Sequence, residues 1–339
     1  MAQIAVVGLD LAKNIFQVHC ADDFGKKLIS KKLSRVEVLP FLKRLSPCTV
    51  AMEACSGSTF WAREIARLGH FVKVLPANYV KPFVKRGKTD AIDAEAICVA
   101  SLQESMPVVP IKTLEQQAVV MLIKSRAFII RERLRIVSAL RGHLTEVGIV
   151  FAKGAAQVGH LIKTVRGRSG DEVLSCLGPA LAVLCDQIEL SNRHIKKLDK
   201  AIAKRSKRDE DIARLMTIPG IGPLTAATLK AYVPDPSRFK SARHFAAWIG
   251  LTPRSHSTGG TRKMRGITKM GNSQLRTLLV MGAFAVLREA RRKPAKSVWF
   301  RKLLDNRPFK VAAVAVANKS ARIAWALMSN GSSFDNSQL

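Results

Sequence analysis

The chain is short of acidic residues, of aromatic residues and of long apolar runs, and each shortage narrows its class. Its 339 residues include 25 Asp+Glu against 56 Lys+Arg, a formal net charge of +31. Aromatic residues make up only 6%, so stacking on bases is not expected to dominate any recognition. The best apolar run, Leu278 to Leu287, is half the ~20 residues that a membrane-spanning helix needs. A polyanionic partner held mainly through its phosphates is therefore expected.

The six cysteines form no CxxC pair and have no regular spacing. Neither a disulfide framework nor a zinc site is predicted, and the thiols are those expected in a reducing cytoplasm. The N-terminus lacks the basic start of a signal peptide, and Asp10 interrupts its apolar stretch. With 47% hydrophobic residues, the chain can bury a sizeable core, and two or three domains are expected.

Four carboxylates stand out against this basic background. Asp10 ends the apolar run 4–9, Glu53 ends the run 49–52, and Asp90 and Asp93 lie one helical turn apart. Taken singly, Asp10 is typical of a turn and Asp90 of an acid at a helix N-terminus. Clustered, they would repel one another unless cations neutralised them, and Mg²⁺ prefers such oxygen ligands. Two ions ~3.5–4 Å apart could clamp both oxygens of a phosphoryl transfer.

The first hundred residues alternate in an α/β manner. Residues 3–10, 14–21 and 26–33 predict three strands, the last two joined by a Gly-containing hairpin turn. Further along, the periodicity predicts helices near 36–45, 58–68 and 90–102, alternating with strands at 49–53 and 71–75. Three antiparallel strands followed by this alternation predict an α/β ribonuclease-H-like (RuvC-like) domain over residues 1–106.

The middle of the chain predicts long helices. Residues 114–147 have a helical pattern, and Leu181, Ile188, Ile195 and Ile202 repeat every seven residues. Residues 107–206 are therefore interpreted as an antiparallel helical arm or a dimerising coiled coil, with an ordinary helical hairpin as the alternative. Residues 207–329 predict a mostly α-helical C-terminal domain, and the Ser/Asn-rich residues 330–339 a disordered tail.

Residues 218–226 read as a turn between two helices that contains Gly220 and Gly222. Glycines let backbone N–H groups approach a phosphate closely, and the following helix N-terminus adds partial positive charge. The pattern resembles a helix-hairpin-helix motif, which binds the DNA backbone. The alternative is a plain turn between helices.

Residues 250–266 form a polar segment between two apolar helices, with cationic side chains at Arg254, Arg262, Lys263 and Arg265. The composition predicts a loop that binds phosphates, and a nucleophilic serine within it is also possible. His256 precedes Ser257, but adjacency in sequence is poor evidence for the geometry of a Ser–His pair.

Together these motifs resemble the DEDD-type transposases of bacterial insertion sequences, a group related to the Piv invertases and described as bridge-RNA-guided recombinases. The resemblance covers nearly the whole chain. It rests on GLDLAK (8–13), MEAC (52–55), KTDAIDA (88–94), PGIG (219–222), GLTP (250–253), STGG (257–260), ITKMGN (267–272) and LR (275–276).

The resemblance implies that Asp10, Glu53, Asp90 and Asp93 bind Mg²⁺ in a Holliday-junction-resolvase-like domain. It implies that a serine of a C-terminal transposase domain attacks a DNA phosphate and holds a covalent phosphoserine intermediate. The family pattern favours Ser257, with Thr258 and Ser255 as alternatives.

For partners, the resemblance implies donor and target DNA, and a bridge RNA that pairs with both. It also implies a dimer or tetramer whose composite active sites join the acids of one protomer to the serine loop of another. Two other functions remain open: a Mg²⁺-dependent structure-specific endonuclease in which the acids activate water, and a non-catalytic nucleic-acid-binding scaffold.

Overall fold

The computed structural model describes residues 3–87, 89–154, 156–167, 172–258, 260–292 and 298–335, with the backbone alone at 172–175 and 261–263. The chain divides into two compact units, residues 1–113 and residues 114–339. The first unit contains, in chain order, β1 (Val6–Asp10), β2 (Ile15–Ala21), β3 (Lys27–Ser34), α1 (Val38–Lys43), β4 (Thr49–Glu53), α2 (Ser58–Arg67), β5 (Phe71–Leu75), α3 (Ala77–Val80) and α4 (Asp90–Ser101).

The five strands of the first unit form one mixed sheet in the order β3-β2-β1-β4-β5. β1 pairs antiparallel with β2 and β2 antiparallel with β3, whereas β1, β4 and β5 run parallel. The prediction of a mixed α/β N-terminal sheet is confirmed. Because side chains alternate along a strand, Val7 and Leu9 lie on one face of the sheet, and Gly8 and Asp10 on the other.

Helices cover both faces of the sheet. The face with Val7 and Leu9 packs against α1 and α2 through the buried side chains Val38, Leu42, Trp61, Ala62 and Ile65. On the opposite face, Ala96, Ile97 and Ala100 of α4 pack against Ala51 and Leu75. The first unit is therefore a three-layer sandwich in which α4 lies on the same face as Asp10.

α4 approaches β1 so closely that only glycine fits at residue 8. A Cβ atom there would collide with the carbonyl oxygen of Ala94 and lie 2.8 Å from the Cβ of Cys98. Cys98 in turn packs with Val6 and Ala21. The helix therefore runs opposite to β1, and its N-terminal turn points toward the strand end that carries Asp10.

The second unit is mostly helical, as predicted. In chain order it contains α5 (Leu114–Glu146), α6 (Gln157–Gly167), α7 (Glu172–Ser206), α8 (Glu210–Met216), α9 (Pro223–Tyr232), α10 (Ala242–Ile249), β6 (Pro253–Thr258), β7 (Thr261–Ile267), α11 (Ser273–Arg292), α12 (Val298–Asn306) and α13 (Phe309–Asn330).

The two longest helices, α5 and α7, pack antiparallel along their length. Arg126 pairs with Asp199, with Nε and Oδ1 2.5 Å apart. Arg133, seven residues later in α5, donates to Asn192, seven residues earlier in α7. Leu181, Ile188, Ile195 and Ile202, the predicted heptad residues of α7, are all buried. Val120 and Ile123 of α5 and Ile202 of α7 belong to the same core as the C-terminal helices. The boundary of the helical arm at residue 206 stays a prediction.

α13 is long and apolar enough to span a membrane by length and composition. Its Ala312, Ala313, Val316, Ala317, Ala321, Ala324 and Leu327 are nevertheless buried in the core of the second unit. Beyond α13, the predicted tail is described as far as residue 335. There the Phe334 N–H donates to the Thr217 hydroxyl at 3.1 Å, and its ring packs against the same core.

The contact at residue 8 gives a first testable prediction. We expect Gly8→Ala to lower the free energy of unfolding by about 2 kcal/mol, because the new methyl group forces α4 away from the sheet. Denaturant unfolding of the full chain measures the change. Gly142→Ala is the matched control: it lies inside α5 with no atom within 4 Å of the added Cβ, so it should stabilise by about 0.5–1 kcal/mol. Equal stability of Gly8→Ala and wild type would contradict the close packing.

Candidate active site

Two of the four predicted acids lie side by side at the end of the sheet. Leu9 of β1 pairs with Met52 of the parallel strand β4, so the next residues, Asp10 and Glu53, end adjacent strands. Neighbouring strands are about 4.8 Å apart. Both acids are half-buried, as expected where buried strands emerge at the edge of a sheet.

The other two acids occupy the first turn of α4. The helix starts there because the Thr89 hydroxyl accepts a hydrogen bond from the Ile92 N–H at 3.3 Å. Asp90 and Asp93 are three residues apart and therefore share a face, and the helix dipole favours negative charge at this end. Asp90 is exposed and Asp93 half-buried. The close contact at Gly8 then seats this turn above Asp10.

The electrostatics indicate that three of the acids are close neighbours. Burial, and next the negative charge of Asp93, raise the pKa of Glu53. Partial burial, followed by the charges of Glu53 and Asp10, raises the pKa of the Cys55 thiol. The first unit thus brings Asp10, Glu53 and Asp93 into one negatively charged region beside a thiol that stays protonated at neutral pH.

Within the described residues, no three His, Cys, Asp or Glu side chains are close enough together to hold one metal ion. The donor chemistry still fits a hard cation, since all four groups offer carboxylate oxygens. Mg²⁺ is usually held by only one or two protein carboxylates and keeps waters or substrate phosphates in its other positions. Pairs of these acids are therefore sufficient ligands.

The segment predicted as a polar loop over residues 250–266 contains a β-hairpin, so the prediction of a loop is wrong for its strands. β6 and β7 pair antiparallel, with Ser257 opposite Arg262 and Thr258 opposite Thr261. All six residues of β6 are exposed. Polar residues on both faces leave no apolar alternation, which explains why the strand pattern was not apparent in the sequence. Gly259 lies outside the described residues.

Strand geometry separates His256 from Ser257. Their side chains point to opposite faces of β6, whereas His256 and Thr258 share a face. The Thr258 hydroxyl lies 3.3 Å from the His256 Nδ1. An adjacent Ser–His pair is therefore absent here, and the group that His256 contacts is the alternative nucleophile.

The base of the hairpin is held by direct contacts between backbone segments. A Cβ on Gly250 would collide with Met270, and one on Gly271 with the carbonyl oxygen of Trp248. Arg276 reinforces this base by donating to the carbonyl oxygens of Ile249 and Met270, both at 2.8 Å. These contacts explain the physical role of motif residues that carried no evident chemistry in the sequence.

Of the four predicted phosphate-binding cations, Arg254 and Arg265 are exposed on the hairpin. The Arg254 guanidinium donates to the Thr268 carbonyl oxygen at 3.3 Å. The side chains of Arg262 and Lys263 lie outside the described residues, although their backbone belongs to β7.

The two glycines of the PGIG turn differ in their surroundings. Gly220 has a φ of +84°, and an added Cβ would lie 2.8 Å from the carbonyl oxygen of Gly282 in α11. Gly222 precedes α9 and has open space where a side chain would be. Packing thus accounts for Gly220, and Gly222 leaves the N-terminus of α9 accessible. The partner, Gly282, was missed because an isolated glycine in a helix gives no sign of its neighbour.

Comparisons with known proteins show the family of the chain. Residues 7–149 match the model of the DEDD transposases of the IS110 group, described as "Transposase", and residues 212–299 match "Transposase IS116/IS110/IS902 family". A "Probable family 20 transposase" of Pseudomonas aeruginosa is 42% identical over 325 residues, 95% of this chain and 96% of that protein.

Two relatives from named insertion sequences extend over similar lengths. The "Transposase for insertion sequence element IS1328" of Yersinia enterocolitica is 38% identical, over 98% of this chain and 99% of that protein. The corresponding protein of IS1111A from Coxiella burnetii is 35% identical, over 97% and 90%.

Fold, acids and relatives together define a DNA transposase, an enzyme that cleaves and rejoins DNA. More particularly, the chain belongs to the IS110/IS116/IS902 family of DEDD transposases. The resemblance recognised in the sequence is thereby confirmed.

The raised pKa of Glu53 gives a second testable prediction. The folded state favours its protonated form, so the stability that Glu53 contributes is fully present below the pKa of the unfolded carboxyl and is lost as pH rises through the folded pKa. We expect Glu53→Gln to be more stable than wild type at pH 7 without divalent cations, and the two to converge toward pH 4. Denaturant unfolding between pH 4 and 7 measures this.

Glu104→Gln, an exposed substitution in the same unit, is the control and should follow wild type across this range. A Glu53→Gln variant that is less stable than wild type at pH 7 would contradict the raised pKa of Glu53.

Proposed function

We propose that the protein is a Mg²⁺-dependent, RNA-guided serine recombinase that inserts and excises its own insertion sequence. The observation that carries the proposal is the convergence of Asp10, Glu53 and Asp93 at one edge of the sheet, in a family of transposases. Such a cluster is costly for a stable fold and is typical of a site that binds cations and phosphates.

The first unit fits a ribonuclease-H-like, RuvC-like fold. Its strand order, its three antiparallel strands followed by two parallel ones, and the acids at the ends of the first and fourth strands support this assignment. In the proposed site, pairs of the carboxylates of Asp10, Glu53, Asp90 and Asp93 would hold Mg²⁺, which would neutralise the charge that develops on the phosphate and lower the pKa of the attacking hydroxyl.

Ser257 is the proposed nucleophile. Its hydroxyl oxygen attacks the DNA phosphorus and loses its proton, while the bond to a deoxyribose oxygen breaks and that oxygen is protonated. The phosphoserine formed has about the same energy as the phosphodiester lost, so the reverse attack by a DNA hydroxyl rejoins strands without ATP. Exposure of β6 lets this side chain reach a DNA backbone. Thr258, beside His256, and Ser255 are the alternatives.

Positive charge on the hairpin complements this chemistry. Arg254, Arg262, Lys263 and Arg265 are proposed to bind phosphates next to the attacked one, as positioning contacts that carry no sequence information. The accessible N-terminus of α9, after Gly220 and Gly222, is proposed as a helix-hairpin-helix-like contact with the backbone. Reading of sequence would then fall to a bridge RNA, because base pairing can select the target while protein binds backbone and shape.

A homo-oligomer with composite sites is part of the proposal. The acids belong to the first unit and Ser257 to the second, which allows the two halves of a site to come from different protomers. On α5, Leu114, Met121 and Phe128 are spaced seven apart and are 70%, 61% and 55% exposed. An exposed apolar stripe at this spacing suits a second helix packed as a coiled coil. We place the protein in the cytoplasm, where the element's DNA is.

A covalent-trapping experiment tests the nucleophile. Protein, flanking RNA, labelled DNA and Mg²⁺ are mixed and run on a denaturing gel. We expect a protein–DNA adduct with wild type, a loss of more than about 10³-fold with Ser257→Ala, and no adduct with Asp10→Asn. Thr258→Val and Ser255→Ala are matched controls that should keep it.

If Ser257→Ala still forms the adduct, Ser257 is not the nucleophile. The nucleophile is then Thr258 or Ser255, whichever residue's substitution abolishes the adduct. Cleaved DNA without any adduct would favour the structure-specific endonuclease, and full activity of Asp10→Asn and Glu53→Gln in cells would favour the non-catalytic scaffold.

RNA guidance has its own test. Purified protein freed of RNA should lose recombination, and the RNA transcribed beside the gene should restore it, whereas a scrambled RNA of equal length should not. Changing the pairing segment of that RNA should move the insertion site to the complementary DNA, read by sequencing the products. Recombination at an unchanged site by the RNA-free protein would refute RNA guidance.

A further inference from the structure

The first unit contains a polar cavity beside the acidic site that none of the motifs explains. It has a volume of about 280 Å³ and lies between α4 and the strands β2 and β3. The residues that line it are His19, Gly25, Lys27, Ser30, Ala91, Ile92, Glu95 and Val99.

His19 is the unusual residue of this cavity. It is only 5% exposed, yet no described residue forms a hydrogen bond with its ring. Burial, followed by the charges of Lys27 and Lys85 and against that of Glu95, lowers the pKa of His19. The ring is therefore neutral at neutral pH, with one nitrogen as a donor and the other as an acceptor.

His70, the other buried histidine of this unit, shows what hydrogen bonds a buried imidazole forms here. The His70 Nδ1 accepts from the Cys48 N–H at 3.3 Å, and its Nε2 donates to the Leu42 carbonyl oxygen at 3.0 Å. His70 thus has the two partners that a buried imidazole ordinarily needs. His19 has no such partner among the described residues, and its ring nitrogens are open to the solvent of the cavity, where a ligand can reach them.

The walls of the cavity specify the chemistry of that ligand. Glu95 is held as a carboxylate by Lys85, with Nζ and Oε1 2.7 Å apart, and would repel a phosphate. The Gln17 amide donates to the Ser30 hydroxyl oxygen at 3.2 Å, which leaves the hydroxyl proton available to a ligand. His19 and Ser30 on the strands and Glu95 on α4 supply donors and acceptors, and Ile92 and Val99 of α4 supply an apolar surface. This combination suits the edge and face of a planar heterocycle.

The position of the cavity relates it to the acids. His19 pairs with Gly8 and Gln17 with Asp10 in the register of β2 and β1. His19 thus lies on the strand next to β1, beside a residue two positions before Asp10, which is roughly 7 Å from Asp10 along the strand. On α4, the lining residues Ala91, Ile92 and Glu95 alternate with Asp90 and Asp93.

We propose that this cavity binds an unpaired base of the DNA strand that the acidic site cleaves, with His19, Ser30 and Glu95 on its edge and Ile92 and Val99 against its face. The proposal rests on the proposed function for the identity of the strand. A base can enter only when it has left the duplex, so the cavity selects DNA whose strands are locally separated next to the attacked phosphate. His19 positions the strand and takes no part in the bond changes.

The test compares a short oligothymidylate with a strand of the same length that lacks all bases. The full chain carries seven histidines, so ¹⁵N-histidine labelling gives few ring signals, and His19→Gln identifies the one of interest. We expect oligothymidylate to shift the His19 signal and the abasic strand to leave it in place. The His70 signal is the matched control and should move with neither.

Affinity supplies the second readout. Val99→Phe fills the cavity from α4 and should weaken oligothymidylate binding about fivefold, measured by fluorescence anisotropy, with abasic-strand binding unchanged. His19→Gln should likewise weaken binding of oligothymidylate and leave binding of the abasic strand unchanged. If one of the two variants misfolds, the other still provides the test.

Each contrary outcome has one meaning. A His19 signal that stays in place while oligothymidylate binds, or that shifts equally with both strands, overturns the base site and leaves the proposed function intact. A shift with oligouridylate but not with oligothymidylate overturns DNA as the ligand. Failure of the wild-type protein to bind either strand by anisotropy contradicts the proposed function itself, and the cavity proposal with it.

Discussion

The close approach of α4 to β1 at Gly8 is the constraint on which the acidic site depends. Asp10 and Glu53 are fixed by the sheet, but Asp93 comes close to Glu53 only because a helix backbone lies directly against a strand. No other residue permits that distance, because any Cβ at residue 8 would occupy the place of the Ala94 carbonyl oxygen. The like charges that result oppose folding of this edge, and the packed layers beneath α4 offset that opposition.

The second unit has similar close backbone contacts at the turn and the hairpin that are proposed to act on DNA. Gly220 meets Gly282 between a turn and a helix, and Gly250 and Gly271 bring together the two chain segments from which the hairpin projects. Contacts between backbones are less adaptable than contacts between side chains, since no rotamer change can relieve a misfit. Both halves of the proposed chemistry are thus attached to rigid points, while the chemical groups themselves remain at the surface.

The sequence predicted the elements in which burial makes the apolar residues periodic, and it did not predict elements without such spacing. The strands that end in Asp10 and Glu53, the helix that begins at Asp90 and the heptads of α7 are half or fully buried, so their apolar spacing predicted them. The hairpin that carries Ser257 is exposed on both faces and gave no such signal. The packing role of Gly220 and the cavity at His19 depend on residues distant in sequence, which no local pattern can relate.

Because the hairpin is anchored only at its base, a small rotation there displaces Ser257 by a larger distance. Ser257 is four residues beyond Pro253, about 13 Å along the strand, and a two-stranded hairpin has little rigidity of its own. A rotation of about 10° at the base would move the serine oxygen by about 2 Å, more than the ~1 Å misplacement that can cost a hundredfold in rate. If Ser257 is the nucleophile, as proposed, Trp248, Met270 and Arg276 position its hydroxyl without contacting DNA or Ser257 themselves.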